Sequence, residues 1–205
     1  MNILLLSLGL GAIPHRLRSG AVLGFVPTAG EPYADPYFVR EDRTRLEKLG
    51  YQLVDIDLTN MSAAAVRAKL NSIDALFVAG GNTFYLLQQL RARGAQEVFV
   101  EFIASDHLYI GASAGAVILG PTIEPIRTLD DPAAAPALES MDGLRIIDFI
   151  VLPHYGKAKY EQKYLDIEAS YASNYQVVKL RDDQALEVNS KDRFSIVESA
   201  LVLHG

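Results

Sequence analysis

Short, unbroken apolar runs alternate with segments of helical period along most of this chain. Asn2 to Leu10 and Ala21 to Val26 carry too few polar interruptions for a half-exposed strand, and both read as buried strands. The second stops at Pro27-Thr28-Ala29-Gly30. Asp35-Pro36 then reads as an N-cap with proline in the first turn of a helix that runs to Leu49 and stops at Gly50. Tyr51 to Leu58 is the next strand, Ser62 caps a short helix to Leu70, and Ile73 to Ala79 is a strand again. Gly80-Gly81-Asn82-Thr83 punctuates the chain before a helix from Phe84 to Arg93, whose Phe84, Leu87 and Leu90 share a face, and a second helix from Ala95 to Ala104.

Strands alternating with helices at this spacing predict an α/β domain with a mostly parallel sheet, in which working groups gather beyond the carboxyl ends of the strands. At the centre lies Leu108-Tyr109-Ile110-Gly111-Ala112-Ser113-Ala114-Gly115-Ala116-Val117-Ile118-Leu119. An apolar strand enters a Gly-Ala-Ser-Ala-Gly turn and leaves as a helix, the form of a nucleophile elbow with Ser113 at its apex. Chance alone supplies a G-x-S-x-G in about one chain of this length in fifteen, so the setting must carry the reading. Thr128 to Met141 is rich in Ala, Pro and acids and reads as a loop, a surface connection in preference to a lid. Leu144 to Leu152 is a strand that ends at Pro153-His154-Tyr155-Gly156. The helix from about Lys159 to Tyr171 stacks Tyr160, Tyr164, Ile167 and Tyr171 in one stripe, as core packing requires. Val177 to Leu180, Gln184 to Asn189 and Phe194 to Val197 read as short strands that extend the sheet antiparallel. No repeat or linker divides the 205 residues, which are expected to form a single domain.

Composition narrows the function. Half of the chain is hydrophobic, enough for a sizeable core, and the net charge of −6 argues against nucleic acid or an anionic membrane as partner. The absence of cysteine removes disulfides, thiolate metal sites and a Cys nucleophile together. The first apolar run lacks a basic region before it and a cleavage pattern after it, and no stretch reaches the roughly 20 residues needed to span a bilayer. The expectation is a cytoplasmic protein acting on small molecules or peptides.

A serine nucleophile needs a base, and the chain offers four histidines. His204 is next to the terminus. His107 precedes the strand that delivers Ser113, which sets it about 16 Å away at the opposite end. His15, beside Arg16 and Arg18, reads as part of an exposed loop. His154 directly follows a long strand and is the favoured base. An acid must then orient the imidazole. Asp182 is the first choice and Asp183 the second, since both follow a strand directly, while Glu187 lies inside one. The amide of Ala114 and the glycine turn at Gly80-Gly81 are candidate donors to a developing oxyanion. That turn lacks the Lys-Ser/Thr ending of a P-loop, which argues against a nucleotide.

Ala-Gly-Gly-Asn-Thr-Phe before a helix, Gly-Ala-Ser-Ala-Gly-Ala after a strand and Asp-Phe-Ile-Val-Leu-Pro-His-Tyr further on give the chain its likeness. In this order they resemble the peptidase E family of serine peptidases, the aspartyl dipeptidases, with cyanophycinase a more distant relative. The resemblance implies a three-layer α/β/α sandwich of the flavodoxin-like kind shared with class I glutamine amidotransferases, with serine in place of their cysteine. It also implies Ser113 as nucleophile, His154 as base, Asp182 as the third member, Gly81 and Ala114 as the oxyanion hole, and Asn82 shaping the substrate site. One departure concerns specificity. Dipeptidases that prefer an N-terminal aspartate carry an arginine after the histidine. Here that segment is shorter, with Tyr160 near the place. Lys157, Lys159 and Lys163 are the cations at hand, either as substitutes or as the solvated face of the helix. A lysine lacks the bidentate grip of arginine on a carboxylate. The resulting expectation is a serine exopeptidase acting on small peptides, without metal or organic cofactor. The alternatives are hydrolysis of another amide, isopeptide or ester, or a catalytically silent ligand-binding protein. The oligomeric state stays open.

Overall fold

Four consecutive apolar residues with no exposed alternate, Ile3–Leu6 (β1), can be stable only in a sheet covered on both faces. The computed structural model, which describes residues 1–201, places β1 in the interior of such a sheet. The other strands are β2 (Val22–Val26), β3 (Gln52–Asp55), β4 (Ala75–Val78), β5 (Leu108–Ala112), β6 (Phe149–Tyr155), β7 (Gln176–Arg181), β8 (Gln184–Ser190) and β9 (Arg193–Glu198). Seven of them form one sheet in the order β3-β2-β4-β5-β1-β8-β9. The first five of that order run parallel, and β8 and β9 add antiparallel at the β1 edge.

The parallel strands deal their side chains alternately to two cores. Ile3, Leu5, Leu76, Val78 and Tyr109 face one core, closed by the helices α2 (Ala63–Leu70), α3 (Thr83–Ala92), α4 (Ala95–Ala104), α5 (Ala114–Val117) and α6 (Glu161–Tyr171). Leu4, Leu6, Phe25, Phe77 and Ile110 face the other, closed by α1 (Tyr37–Lys48) and the segment around Leu10, Ile13 and Leu17. Phe25 and Phe77 stack there with ring centroids 5.7 Å apart.

Ser62 caps α2 as expected, accepting from the Ala65 N–H. Asp35 does not cap α1. Pro36 holds the cap position without a side-chain bond, and the Asp35 carboxylate instead accepts from Arg40. The strand expected over Leu144 to Leu152 begins only at Phe149. The N–H groups of Leu144, Ile146 and Ile147 bond to the carbonyls of Ile118 and Leu119, and Arg145 adopts a φ of 56°, so the buried apolar run is spent on the end of α5 before the strand starts. Nor does β7 join the antiparallel extension. It pairs parallel with β6 in a separate two-stranded sheet, so only β8 and β9 extend the main one. The chain crosses from one sheet to the other at Asp182-Asp183. Among the described residues, no helix is long and apolar enough to cross a membrane.

Candidate active site

Ser113 ends β5 and starts α5 with φ 47° and ψ −106°, a conformation that non-glycine residues rarely adopt. The turn is held by its surroundings. The Ser113 N–H bonds to the Leu6 carbonyl on β1, and the buried Tyr109 hydroxyl donates to the Gly115 carbonyl at 2.7 Å. The two glycines of the motif allow the approach: a Cβ on Gly111 would stand 2.4 Å from the Gly115 oxygen, and one on Gly115 would stand 2.4 Å from the Val78 oxygen.

Ser113 Oγ lies 3.1 Å from His154 Nε2, and His154 Nδ1 lies 2.7 Å from Asp182 Oδ1. Since a carboxylate accepts, Nδ1 carries the proton and Nε2 presents its lone pair to the serine. His154 occupies the left-handed region, with φ 62°, at the bulge where the β6–β7 register shifts. Ser7, just past the end of β1 and only 1% exposed, fixes this turn by accepting from the His154 N–H at 2.7 Å and donating to Asp182 Oδ1 at 2.8 Å. Tyr164 on α6 supports it from the other side, donating to the Pro153 carbonyl at 2.6 Å. Lys157 Nζ reaches Asp182 Oδ2 at 2.8 Å. Burial alone would raise the Asp182 pKa, but the bonds from His154, Lys157 and Ser7 together hold it well below the usual carboxylate range.

Across the serine, Gly81 has φ 140°, and a Cβ there would fall 2.1 Å from the Ala29 oxygen, so the position admits only glycine. Among the described residues the N–H groups of Gly81 and Ala114 have no hydrogen-bond acceptor. Ser7, Gly81, Ser113, His154, Lys157 and Tyr164 border a cavity of about 420 Å³, a volume suited to a small ligand, and Asp182 lies behind the imidazole.

The model of the Peptidase family S51 matches residues 12–196. The chain belongs to peptidase family S51. It is 37% identical over 175 residues to an uncharacterized peptidase of Listeria innocua, covering 82% of this chain and 84% of the relative. Peptidase E of Streptomyces coelicolor is 33% identical over 162 residues, which is 76% of this chain and 64% of that protein. The crystal structure of a putative peptidase E protein from Listeria monocytogenes superposes with a TM-score of 0.88 at 30% identity, covering 97% of this chain and 98% of that one. The peptidase E resemblance of the sequence motifs therefore holds, and the chain is a peptidase, of the serine type by family.

In this S51 peptidase the other expected site residues fall in different places. Asp183 pairs with Arg181 and Glu187 with Arg16, so neither reaches the imidazole. His107 stacks on Phe102 before β5, and His15 is exposed in a turn after β1. His204 lies outside the described residues. Asn82 does not line the cavity. Its side chain caps α3 by accepting from the Tyr85 N–H and donates to the Asp131 carbonyl. Lys157 is committed to Asp182, Lys159 stands 4.5 Å over the Tyr160 ring at the cavity wall, and Lys163 donates to the Thr128 carbonyl. The loop after Thr128 is tied down rather than free, since Asp130, Asp131, Ala137 and Ser140 all bond to side or main chain of α3 or its cap.

Sequence reasoning missed Ser7, Asp130 and Asp42. Ser7 carried a signal, a polar residue inside the apolar run Ile3 to Leu10. Asp42 on α1 is buried and lines the cavity, and burial pushes its carboxyl up to about 7.

Proposed function

We propose that this S51 peptidase is a cytoplasmic serine dipeptidase, built as a single domain, which hydrolyses small peptides through Ser113, His154 and Asp182. The carrying observation is the unbroken relay from Ser113 Oγ through His154 to Asp182, with contacts of 3.1 Å and 2.7 Å, whose serine and histidine line one cavity. Two cores on opposite faces of the sheet support the three-layer, class I glutamine amidotransferase-like architecture that belongs to this reading.

Ser113 Oγ attacks the carbonyl carbon of the peptide bond while His154 Nε2 takes the hydroxyl proton. Negative charge gathers on the carbonyl oxygen, opposite the N–H groups of Gly81 and Ala114, whose lack of other acceptors fits them to receive it. His154 then delivers its proton to the leaving nitrogen, the C–N bond breaks, and the acyl group stays on Ser113. Water gives a proton to His154 and attacks the ester, and the serine leaves with the proton restored. Asp182, kept ionised, stabilises the imidazolium at each proton transfer. Lys159 and Tyr160 contact the distal part of the peptide, while Asn82 and Lys157 act through the groups they hold.

The test is hydrolysis of a panel of dipeptides with acidic and neutral first residues by the wild type and by Ser113→Ala. Cleavage that vanishes in the variant supports the proposal; cleavage that survives in a clean preparation of the variant overturns it.

A further inference from the structure

The part of the cavity beside Ser113, between α3, α5 and the loop after Ile123, combines one carboxylate with an apolar floor. Thr83, Val117, Ile126, Leu129 and Asp130 line it. The lysines that border the cavity come instead from the segment after β6, one bound to Asp182 and one over the Tyr160 ring. None of the five residues lining this part carries a positive charge. A substrate side chain entering it meets Val117, one helical turn beyond Ser113, and Ile126 and Leu129.

Asp130 is anchored through one oxygen only. Its Oδ2 accepts from the Thr83 N–H at 2.9 Å and from the Thr83 hydroxyl at 2.6 Å, and its Oδ1 has no donor among the described residues. Desolvation raises its pKa against the lowering effect of the Thr83 bonds, the mark of a carboxylate short of a counter-charge. Tyr33 and Tyr160 line the same cavity as Asp130, so aromatic rings border the space a cation would enter. The site is also within reach of the chemistry. Thr83 follows the Gly80-Gly81 turn, where a Cβ on Gly80 would stand 3.1 Å from Ser113 Cβ, and Asp130 lines the same cavity as Ser113 and His154. The α-ammonium of an N-terminal residue is two bonds from the carbonyl carbon under attack, so its partner must stand this near the serine.

We infer that Asp130 receives the α-ammonium of the substrate while Val117, Ile126 and Leu129 receive its first side chain, so that the enzyme selects dipeptides with a free N-terminus and a neutral, apolar first residue over Asp-Xaa. This rests on the dipeptidase reading above. An aspartate side chain in this part of the cavity loses its hydration and gains no partner, and it stands near a second carboxylate. The decisive experiment measures kcat and KM for Leu-Ala, N-acetyl-Leu-Ala and Asp-Ala with the wild type and Asp130→Asn, using Ser113→Ala as the blank. Asparagine keeps an acceptor for Thr83, so the loop stays anchored. The wild type should favour Leu-Ala over each of the others by at least about 10-fold, the scale of one charged hydrogen bond. Asp130→Asn should lower kcat/KM for Leu-Ala by about 10- to 100-fold, mainly through KM, and leave the acetylated peptide within about 2-fold. Serine-dependent cleavage of Asp-Ala at the rate of Leu-Ala or above overturns the inference and leaves the dipeptidase standing. So does an equal loss on free and acetylated peptides, which assigns Asp130 a structural role only. Failure of all three peptides to be cleaved in a Ser113-dependent way overturns both readings.

Discussion

The nucleophile and its base come from two halves of the molecule built on different principles. Ser113 leaves β5, an interior strand whose residues are all buried, and its strained turn is clamped by close backbone packing at Gly111 and Gly115. His154 and Asp182 leave the separate β6–β7 pair, and polar bonds from Ser7, Tyr164 and Lys157 hold them in place. Sterics fix the first half, and a small hydrogen-bond network fixes the second. The difference teaches where each half is vulnerable. Added volume should damage the elbow through stability, whereas loss of a hydroxyl should damage the base through rate.

The sharpest break removes the group where the halves meet. Ser113→Ala is expected to lower kcat/KM by about 10⁴-fold or more in dipeptide hydrolysis, with a circular-dichroism melting curve close to that of the wild type. On the elbow side, Gly115→Ala forces a Cβ to 2.4 Å from the Val78 oxygen and should cost about 1–3 kcal/mol in urea unfolding. On the base side, Ser7→Ala removes one bond to the His154 backbone and one to Asp182. It should lower kcat about 10- to 100-fold with KM little changed, and steady-state kinetics separates the two. The smallest effect concerns acid. Because the folded Asp182 pKa is depressed, its contribution to stability is present above the unfolded carboxylate range and fades as pH falls below about 4. Lys157→Met removes one of the three bonds that depress it, so acid unfolding followed by fluorescence should move to higher pH by a few tenths of a unit, about 0.3.

The elbow half was legible in the sequence because its determinants are local. An apolar run, small residues around Ser113 and the helix after it fix the conformation within a dozen positions. The parallel sheet followed from the same alternation. The base half was legible only in its endpoints. His154, expected just past a strand, lies near the end of β6 at its bulge, and Asp182 follows β7. Both could be chosen for their place at a strand end, but the pairing of β6 with β7 away from the main sheet is recorded by no periodicity. The choice of Asp182 over Asp183 turns on the direction in which each side chain leaves the crossing between sheets, and Arg181 takes the second aspartate. Asp130 was hidden for a related reason. In an Ala- and Pro-rich loop an acid reads as solvated, and only the contact with Thr83, far away in sequence, draws it into the cavity.

The central claim is that the two halves together make one activated serine. The most direct measurement is labelling with a fluorophosphonate, followed by mass spectrometry of the peptide that contains Ser113, on the wild type and on His154→Ala. The account predicts an adduct on Ser113 in the wild type that is lost or slowed at least about 100-fold in the variant. A folded wild type that takes no label at Ser113, or a variant that labels as fast as the wild type, would contradict it.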